Sequence, residues 1–562
     1  MVIRTKVFGM VIAVLLTLSL ISGAGVDAVA PPGDPDALAS SNAQNNAGWQ
    51  EVGVGSASAG GISSNAGYSW QPAVAVASSG EPILAWEDHS SGYGDIYVRR
   101  WNGSTWEEMG AGSASGGGIS NSSNPSGQAA VATTSDGAVY IAWTNRTIVT
   151  PEIYVRRWNG SGWEEVGAGS ASGGGISNTS GWSQLPSMAV APDGTVYVAW
   201  EEDIAGQIYV RRWNGNGWEE VGAGSASGGG ISNTSGGGSF GSSIAVAPDG
   251  TPYVAWCDGS NGWEQIYVRR WRGGTWEEVG HGSAHGGGIS STNSHSWYPS
   301  VGIAPGGVPY IAWYEELDAF ISEIYVRRWN GVHWEEVGAG SASGGGISSN
   351  GGISDFPSLA VAPDGMPYVA WHGTKSGDVE IYVRRWDGNS WQEVGVGSAS
   401  GGGISDNFGE SYDSSLAIGS DGVPYIAWHD DHGENNTEIF IRRGPPAFQQ
   451  LRSALWFLAE MGGADPPPQR IDVRGISQVI TWTASVSPTV GWLEAVPTSG
   501  TTSATISATV SISGLSLGHY TAQIIIEGGE GVVNSPQTID VRLIVAEEVS
   551  RMCLPLVHRD CP

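Results

Sequence analysis

The sequence is poor in basic residues and in long apolar runs. It has 25 Lys and Arg against 55 Asp and Glu, which gives a formal net charge of −30. A face that binds nucleic acid must be basic to hold the phosphates, so this balance argues against nucleic acid as a partner. Beyond the N-terminal region, no stretch is apolar over the roughly 20 residues that a membrane-spanning helix needs. We therefore expect no transmembrane segment.

Cysteine is also scarce, with three in 562 residues. Cys257 stands alone and is expected to be a packing residue, with a reactive thiol as the alternative. Cys553 and Cys561 lie close together near the end of the sequence and could pair in an oxidising compartment. No Ser/His/Asp, phosphate-loop or zinc-spacing motif stands out, so the sequence gives no direct sign of catalysis.

The N-terminal residues have the pattern of a secretory signal. Arg4 and Lys6 precede an apolar run over 7–21, and small or branched residues follow at 26–28. This order of a basic start, an apolar centre and a small-residue cleavage site predicts a signal peptide over 1–28. A linker over 29–47 would follow it, and we expect an extracellular protein that is secreted or associated with the cell surface.

Glycine and tryptophan are abundant, and most of them belong to a repeat. The phrase WEEVGAGSASGGGIS occurs unchanged from Trp163, Trp218 and Trp334, and close variants begin at Trp49, Trp106, Trp276 and Trp391. The spacing is 55 to 58 residues, which indicates a repeat architecture. Because an active site needs its residues only once, the phrase is expected to serve the architecture.

Each repeat contains four strand-like runs, which we call A to D. In the third repeat they are 187–191, 196–200, 208–213 and 218–222, with turn sequences between A and B and between C and D. Four antiparallel strands repeated radially predict an all-β fold, a seven-bladed β-propeller over 48–444. The first copy begins at strand D and the last stops after strand C. We therefore expect 49–53 to pair with 439–443 and close the ring.

The paired arginines of strand C are predicted to be structural. If Trp213 faces Trp218 across the C–D turn, Arg212 lies opposite Glu219 and Arg211 lies opposite Glu220. Cross-strand pairs of opposite charge stabilise a sheet, so these arginines need no functional role.

The segment 357–391, PSLAVAPDGMPYVAW…EIYVRRWDGNSW, resembles the repeat of sialidase-like Asp-box propellers. The resemblance covers roughly 48–444 and implies the propeller fold. In that family a Ser-x-Asp-x-Gly-x-x-Trp turn joins strands C and D, whereas the turns here are shorter, as in WNGSTW, and lack the Ser and Asp. Sialidases also use three arginines from different blades, a Tyr with its Glu, and an acidic Asp. The arginines here are repeated, so no such set carries over.

After Arg443 the repeats stop, and strand-like runs at 479–487, 504–512, 519–527 and 537–545 predict an antiparallel immunoglobulin-like β-sandwich over 445–546. Trp482-Thr483-Ala484, Trp492-Leu493, PTSGT, Gly518-x-Tyr520-Thr521 and NSPQTIDVRLIV resemble the BACON family of bacterial modules. That resemblance implies either carbohydrate binding or a spacer and identifies no binding residue. The tail 547–562 resembles LPLV-type endings of some secreted bacterial proteins and could be a sorting signal or a disulfide-stapled end.

The propeller face that carries the B–C loops and D–A crossings varies most, and function tends to lie on variable loops of a rigid scaffold. Aromatic side chains precede strand A on this face and are predicted to surround the channel mouth, where they could stack on sugars or else seal the blades. The predicted ligand-binding residues are Trp70, Trp182, Trp297, Tyr298, Phe356 and Tyr412.

The same face is acidic at the B–C loops. The carboxylates could hold Ca²⁺ or form a solvated rim, and His372 with the cluster at 429–432 has metal-type side chains. We predict no obligatory cofactor. The acidic residues are Glu87, Asp88, Glu201 to Asp203, Asp258, Glu315, Glu316, Asp430 and Asp431.

The sequence thus predicts a monomeric, non-catalytic binding protein whose partner is a glycan or a cell-surface protein. Two alternatives stay open: a divergent sialidase-like glycoside hydrolase and a purely structural surface protein.

Overall fold

A computed structural model describes residues 48–548, except 148–149, 203–205, 235–237, 319, 375–376, 408, 432–435, 449–450, 477–478, 530–531 and 533–534. The predicted signal peptide, the linker, Cys553 and Cys561 lie outside the described residues. Among the residues that are described, no helix has the length and apolar character needed to cross a membrane.

The described residues of 50–443 form twenty-eight strands in seven four-stranded antiparallel sheets. In chain order the strands are β1 (Gln50–Glu51), β2 (Ser69–Val76), β3 (Pro82–Asp88), β4 (Asp95–Trp101), β5 (Trp106–Glu108), β6 (Ser126–Thr133), β7 (Val139–Asn145), β8 (Glu152–Trp158), β9 (Trp163–Glu165), β10 (Ser183–Val190), β11 (Val196–Glu202), β12 (Gln207–Trp213), β13 (Trp218–Glu220), β14 (Ser239–Val246), β15 (Pro252–Asp258), β16 (Gln265–Arg272), β17 (Thr275–Glu278), β18 (His295–Ile303), β19 (Pro309–Asp318), β20 (Ile321–Trp329), β21 (Trp334–Glu336), β22 (Ser354–Val361), β23 (Pro367–Thr374), β24 (Val379–Trp386), β25 (Trp391–Glu393), β26 (Ser411–Ile418), β27 (Pro424–Asp430) and β28 (Glu438–Arg443).

We number the sheets 1 to 7 by their first strands, β2, β6, β10, β14, β18, β22 and β26. Each of sheets 1 to 6 contains four consecutive strands, and sheet 7 contains β26, β27, β28 and β1. The apolar cores lie between neighbouring sheets. Tyr140 and Ala142 of sheet 2, for example, pack with Val198 and Trp200 of sheet 3. Four-stranded sheets packed face to face in series form a β-propeller, as predicted from the repeats.

The ring closes through the first described strand. Gln50 pairs with Arg443 and Glu51 with Arg442, so β1 is the outer strand of sheet 7. At the inner edge, the Val74 N–H of sheet 1 donates to Ser415 Oγ of sheet 7 at 3.0 Å. Sheets 7 and 1 are therefore joined at both edges, and the edge that β28 would otherwise expose is covered.

The repeated phrase joins each sheet to the next. In sheet 4 the Trp271 ring lies directly over Gly222 of sheet 3, and Trp276 Nε1 donates to the Val221 carbonyl at 2.8 Å. Glu220 accepts hydrogen bonds from the backbone N–H groups of Gly224 and Ala226 at 2.9 and 3.2 Å, which fixes the start of the crossing segment. The phrase recurs because each junction needs the same contacts.

The predicted register of the C–D hairpin is confirmed. Trp213 pairs with Trp218 and Arg212 with Glu219, and the two charged side chains form an ion pair at 2.7 Å. Arg211 lies opposite Glu220 as expected.

Residues 447–546 form a second group of strands: β29 (Ala447–Phe448), β30 (Ala454–Glu460), β31 (Gln469–Val473), β32 (Gly475–Ile476), β33 (Thr481–Ser487), β34 (Leu493–Val496), β35 (Ser499–Thr501), β36 (Ala504–Val510), β37 (Gly518–Gly528) and β38 (Gln537–Ala546). They build a five-stranded sheet in the order β30-β38-β37-β33-β35, a three-stranded sheet in the order β31-β36-β34 and a two-stranded sheet of β29 and β32.

The expectation of purely antiparallel pairing is wrong at one edge, where β30 runs parallel to β38. A parallel pair needs a long connection, and here β31 to β37 lie between its two strands. A shared core that includes Trp482, Ile506 and Ile524 is buried within this segment.

Candidate functional site

The first strand of each sheet, which we call its inner strand, carries a β-bulge near its start. In sheet 1, Trp70 pairs with Glu87 and Ala73 with Ala85, so Gln71 and Pro72 together oppose Trp86. The first bulge residue of each sheet has a positive φ, a conformation that costs energy for a residue other than glycine. These residues, which we call the mouth ring, are Gln71 (φ 49°), Gln128 (58°), Leu185 (53°), Gly241 (61°), Tyr298 (45°), Phe356 (50°) and Asp413 (53°).

The mouth ring surrounds a single cavity of about 470 Å³ at the propeller axis. Six residue types fill its seven positions, whereas an Ala-Trp pair recurs in the second strand of all seven sheets. The sevenfold repeat is therefore broken where the chain faces the cavity. Among the described residues that line it, Asp413 is the only one with a charged side chain.

Side chains of the preceding sheet hold the ring backbone in place. The N–H of Leu185 donates to Thr144 Oγ1 at 3.2 Å, and the N–H of Gly241 donates to Glu201 Oε2 at 2.9 Å. Two further contacts of this kind are Tyr298 N–H to Cys257 Sγ at 3.0 Å and Asp413 N–H to His372 Nδ1 at 3.3 Å. Cys257 is fully buried, as expected for a packing residue.

Two residues after the ring position, serines of five sheets connect the first strands of neighbouring sheets by hydrogen bonds. Each Ser Oγ accepts the backbone N–H of the next sheet at 2.9 to 3.1 Å, and this contact links adjacent parts of the cavity wall. The five donor–acceptor pairs are Ile244 to Ser187, Val301 to Ser243, Leu359 to Ser300, Leu416 to Ser358 and Val74 to Ser415.

An aromatic arc lies along sheets 4 to 7 at the mouth. Tyr298 and Phe356 have ring centroids 4.6 Å apart, and Phe356 stacks on His372 at 5.4 Å. The arc continues on one side to Trp297 and Phe240, whose centroids are 5.5 Å apart, and on the other to Tyr412 and His429 at 5.8 Å. Phe356 retains 37% of its exposure, so part of the arc is open to a ligand.

Sheets 1 and 2 present polar groups instead. Gln71 and Gln128 supply two side-chain amides to the cavity, and Gln128 Oε1 accepts a hydrogen bond from Thr144 at 2.8 Å. Outside the cavity, Arg146 binds both oxygens of Glu87 at 2.6 and 3.0 Å, which offsets the charge of both side chains. The mouth is therefore aromatic on one side and hydrogen-bonding on the other.

The six predicted ligand residues occupy three different positions of the repeat. Tyr298 and Phe356 belong to the mouth ring, whereas Trp70, Trp297 and Tyr412 lie one residue earlier, opposite the second strand. Trp182 precedes β10 and keeps 43% of its exposure, outside the cavity lining. These positions do not form one symmetric platform, and a role of each side chain in ligand binding stays a prediction.

The prediction missed the other five members of the ring. Gln71, Gln128, Leu185, Gly241 and Asp413 are unremarkable as single residues. Aligning WQPAVAV, GQAAVAT, QLPSMAV, FGSSIAV, WYPSVGI, DFPSLAV and YDSSLAI would have marked their position as one of two adjacent positions that vary at the start of an otherwise regular strand.

The predicted acidic rim is wrong for seven of its carboxylates, which are buried: Glu87, Asp88, Glu201, Glu202, Asp258, Glu315 and Asp430. Five of them, all except Glu87 and Glu201, accept the hydroxyl of a serine at the start of the first strand of their sheet. These bonds join Ser69 to Asp88 at 3.0 Å, Ser183 to Glu202 at 2.7 Å, Ser239 to Asp258 at 2.8 Å, Ser296 to Glu315 at 2.8 Å, and Ser411 to Asp430.

Metal-type side chains at the mouth are held in other contacts. In the part of the chain that is described, no three His, Cys, Asp or Glu side chains are grouped for a metal ion. His432 and Asp203 lie outside that part. Burial lowers the pKa of His372 to about 4, and burial likewise lowers the pKa of His429 although Asp413 opposes it. His372 is therefore neutral near pH 7.

Two further groups at the mouth have pKa values that burial raises. The pKa of Tyr298 rises to about 12, so its hydroxyl stays protonated. The pKa of Asp355 rises to about 6 in spite of a hydrogen bond from Ser322.

No family model and no curated protein sequence matches this chain. Among solved structures, an ulvan lyase of polysaccharide lyase family PL25, bound to -[GlcA(1-4)Rha3S]-, is 10% identical with a TM-score of 0.44 and covers 67% of this chain and 94% of its own. A Hadza microbial sialidase is 14% identical with a TM-score of 0.38 and covers 64% and 73%. The Penicillium chrysogenum α-L-arabinanase complexed with arabinobiose is 12% identical with a TM-score of 0.35 and covers 67% and 93%. At these values the likeness assigns no activity.

Proposed function

We propose that this protein is a secreted, non-catalytic glycan-binding protein and that the mouth ring is its ligand site. The observation that carries the proposal is the loss of symmetry around the axial cavity. The outer two strands of the sheets repeat nearly letter for letter, yet the equivalent positions around the axial cavity hold different side chains. A structural ring would have no need of this variety.

The chemistry of the ring suits a sugar. Tyr298 and Phe356 offer apolar ring surface to the hydrophobic face of a pyranose, and Gln71 and Gln128 can bond its hydroxyls. The cavity of about 470 Å³ is within the range of small-ligand sites. In this proposal the seven sheets are seven closed blades, and 445–546 is an immunoglobulin-like, BACON-like module to which no binding residue is assigned.

The described lining of the cavity has too few carboxyl groups for the usual glycosidase mechanism, and this favours binding without cleavage. Most glycosidases place two of them across the scissile bond, one as acid and one as base or nucleophile. Here Asp413 is the single carboxylate among the described lining residues. A glycoside hydrolase is the second candidate, because Asp355 stands beside Phe356 with a pKa of about 6, which suits a general acid.

A glycan array probed with the secreted protein tests the proposal. Phe356→Ala should weaken the glycan signal, because it removes exposed ring surface from the cavity. Phe320→Ala is the matched control, since Phe320 is 79% exposed and lies outside the cavity lining. An unchanged signal in the presence of EDTA would support the absence of a Ca²⁺ requirement. Equal behaviour of the two variants, or no glycan signal at all, would contradict the proposal.

A further inference from the structure

The described residues that line the cavity carry one negative charge and no positive charge. Asp413, the charged member of the mouth ring, lies in sheet 7 between Phe356 of sheet 6 and Gln71 of sheet 1 in the order of the ring. Its side chain keeps 30% of its exposure. The side chains on both sides of it in the ring are therefore an aromatic ring and a neutral amide.

Among the described residues, no cation in contact with Asp413 offsets this charge near pH 7. His429 Nδ1 is 3.6 Å from Asp413 Oδ2, and His372 Nδ1 accepts the Asp413 N–H. His372 is buried and His429 keeps 13% of its side-chain exposure, and burial lowers the pKa of each imidazole below its ordinary value, which favours the neutral form near pH 7. The guanidinium of Arg146 is held by Glu87.

We propose that the mouth ring selects a sugar that carries a protonated amine and that Asp413 is the residue that determines this specificity. The inference rests on the proposed glycan-binding function. An ammonium group would meet the Asp413 carboxylate in a charge-assisted hydrogen bond, with the aromatic faces of Phe356 and Tyr298 nearby. A uronic acid or a sialic acid would instead bring a second negative charge to a cavity whose described lining has no cation to receive it.

Isothermal titration with three oligosaccharides of similar length tests whether the cavity prefers a cationic, a neutral or an anionic sugar. We choose a pH of about 6.5, where an amine is mostly protonated. They are a glucosamine oligosaccharide, its N-acetylated counterpart and a galacturonic acid oligosaccharide. The glucosamine form should bind at least about tenfold more tightly than the N-acetylated form, as one charged hydrogen bond accounts for that ratio. Added salt should reduce this ratio.

Asp413→Gln is the decisive variant. Gln71 and Gln128 already occupy the equivalent left-handed positions of sheets 1 and 2, so the fold accepts this residue there. The variant should lose the preference for the amine while it still binds the N-acetylated sugar. Asp421→Asn is the control: it removes one negative charge from the same sheet, at a turn outside the cavity, where Asp421 bonds the Val423 N–H.

The outcomes distinguish this inference from the proposed function. Equal binding of the first two sugars, tighter binding of the uronic acid form, or an amine preference that survives Asp413→Gln overturns the inference and leaves glycan binding intact. Failure of all three sugars to bind the wild-type protein overturns both.

Discussion

The substitution Gly222→Ala should destabilise the propeller far more than the same change two residues later. Gly222 has a φ of +86°, and a Cβ built there would lie 2.3 Å from Cη2 and 2.5 Å from Cζ3 of Trp271. The indole cannot withdraw freely, because its centroid is 5.9 Å from that of Trp276, whose Nε1 is bonded to Val221 of the preceding sheet.

Two costs add at this position. A left-handed conformation costs an alanine about 1 kcal/mol relative to glycine. Overpacking of a tight contact costs about 1–3 kcal/mol more, so the total loss in the free energy of unfolding should be about 2–4 kcal/mol. Gly224→Ala isolates the first cost, because Gly224 has a φ of +84° and open space around its Cα.

Urea unfolding followed by tryptophan fluorescence measures the two losses. The double variant Gly222→Ala, Trp271→Ala should show a favourable coupling energy, since removing the indole removes the clash. Equal losses for Gly222→Ala and Gly224→Ala, or simple additivity in the double variant, would refute the argument that the indole contact explains the repeated glycine.

Three further predictions concern closure, catalysis and pH. Deletion of 29–54 removes β1 and exposes the edge of β28, so light scattering should reveal aggregation and the melting temperature should fall; an unchanged melting curve would count against ring closure. A fluorogenic sialoside should not be hydrolysed; turnover that disappears when a single carboxylate or Tyr is replaced would contradict this. Burial raises the pKa of Glu380 from 4.5 to about 8, so the unfolded chain loses this proton first and stability should fall as the pH rises between these values. Glu380→Gln, which places the residue found at the equivalent Gln207 and Gln265, should reduce that fall in pH-dependent thermal melts; an identical pH profile would show that the fall has another source.

Much of the architecture follows from the sequence alone. The tryptophans of WNGNGW lie opposite each other because a short turn fixes the register of a hairpin, and the same register places Arg212 opposite Glu219. The unpaired strand D at one end of the repeats and its absence at the other end predicted the pairing of Gln50 with Arg443. Local patterns suffice for these features, because each depends on residues of one repeat or on the count of the repeats.

The mouth ring depends on the tertiary structure. Nothing in the local sequence requires Leu185, Tyr298 or Phe356 to adopt a positive φ, which bulky side chains disfavour. At Leu185 and Tyr298, a side chain of the preceding sheet binds the backbone N–H of the bulge, and that side chain is more than forty positions away. Such groups meet only when the sheets have packed into a ring, so the sequence specified the blades and their assembly decided which side chains face the cavity.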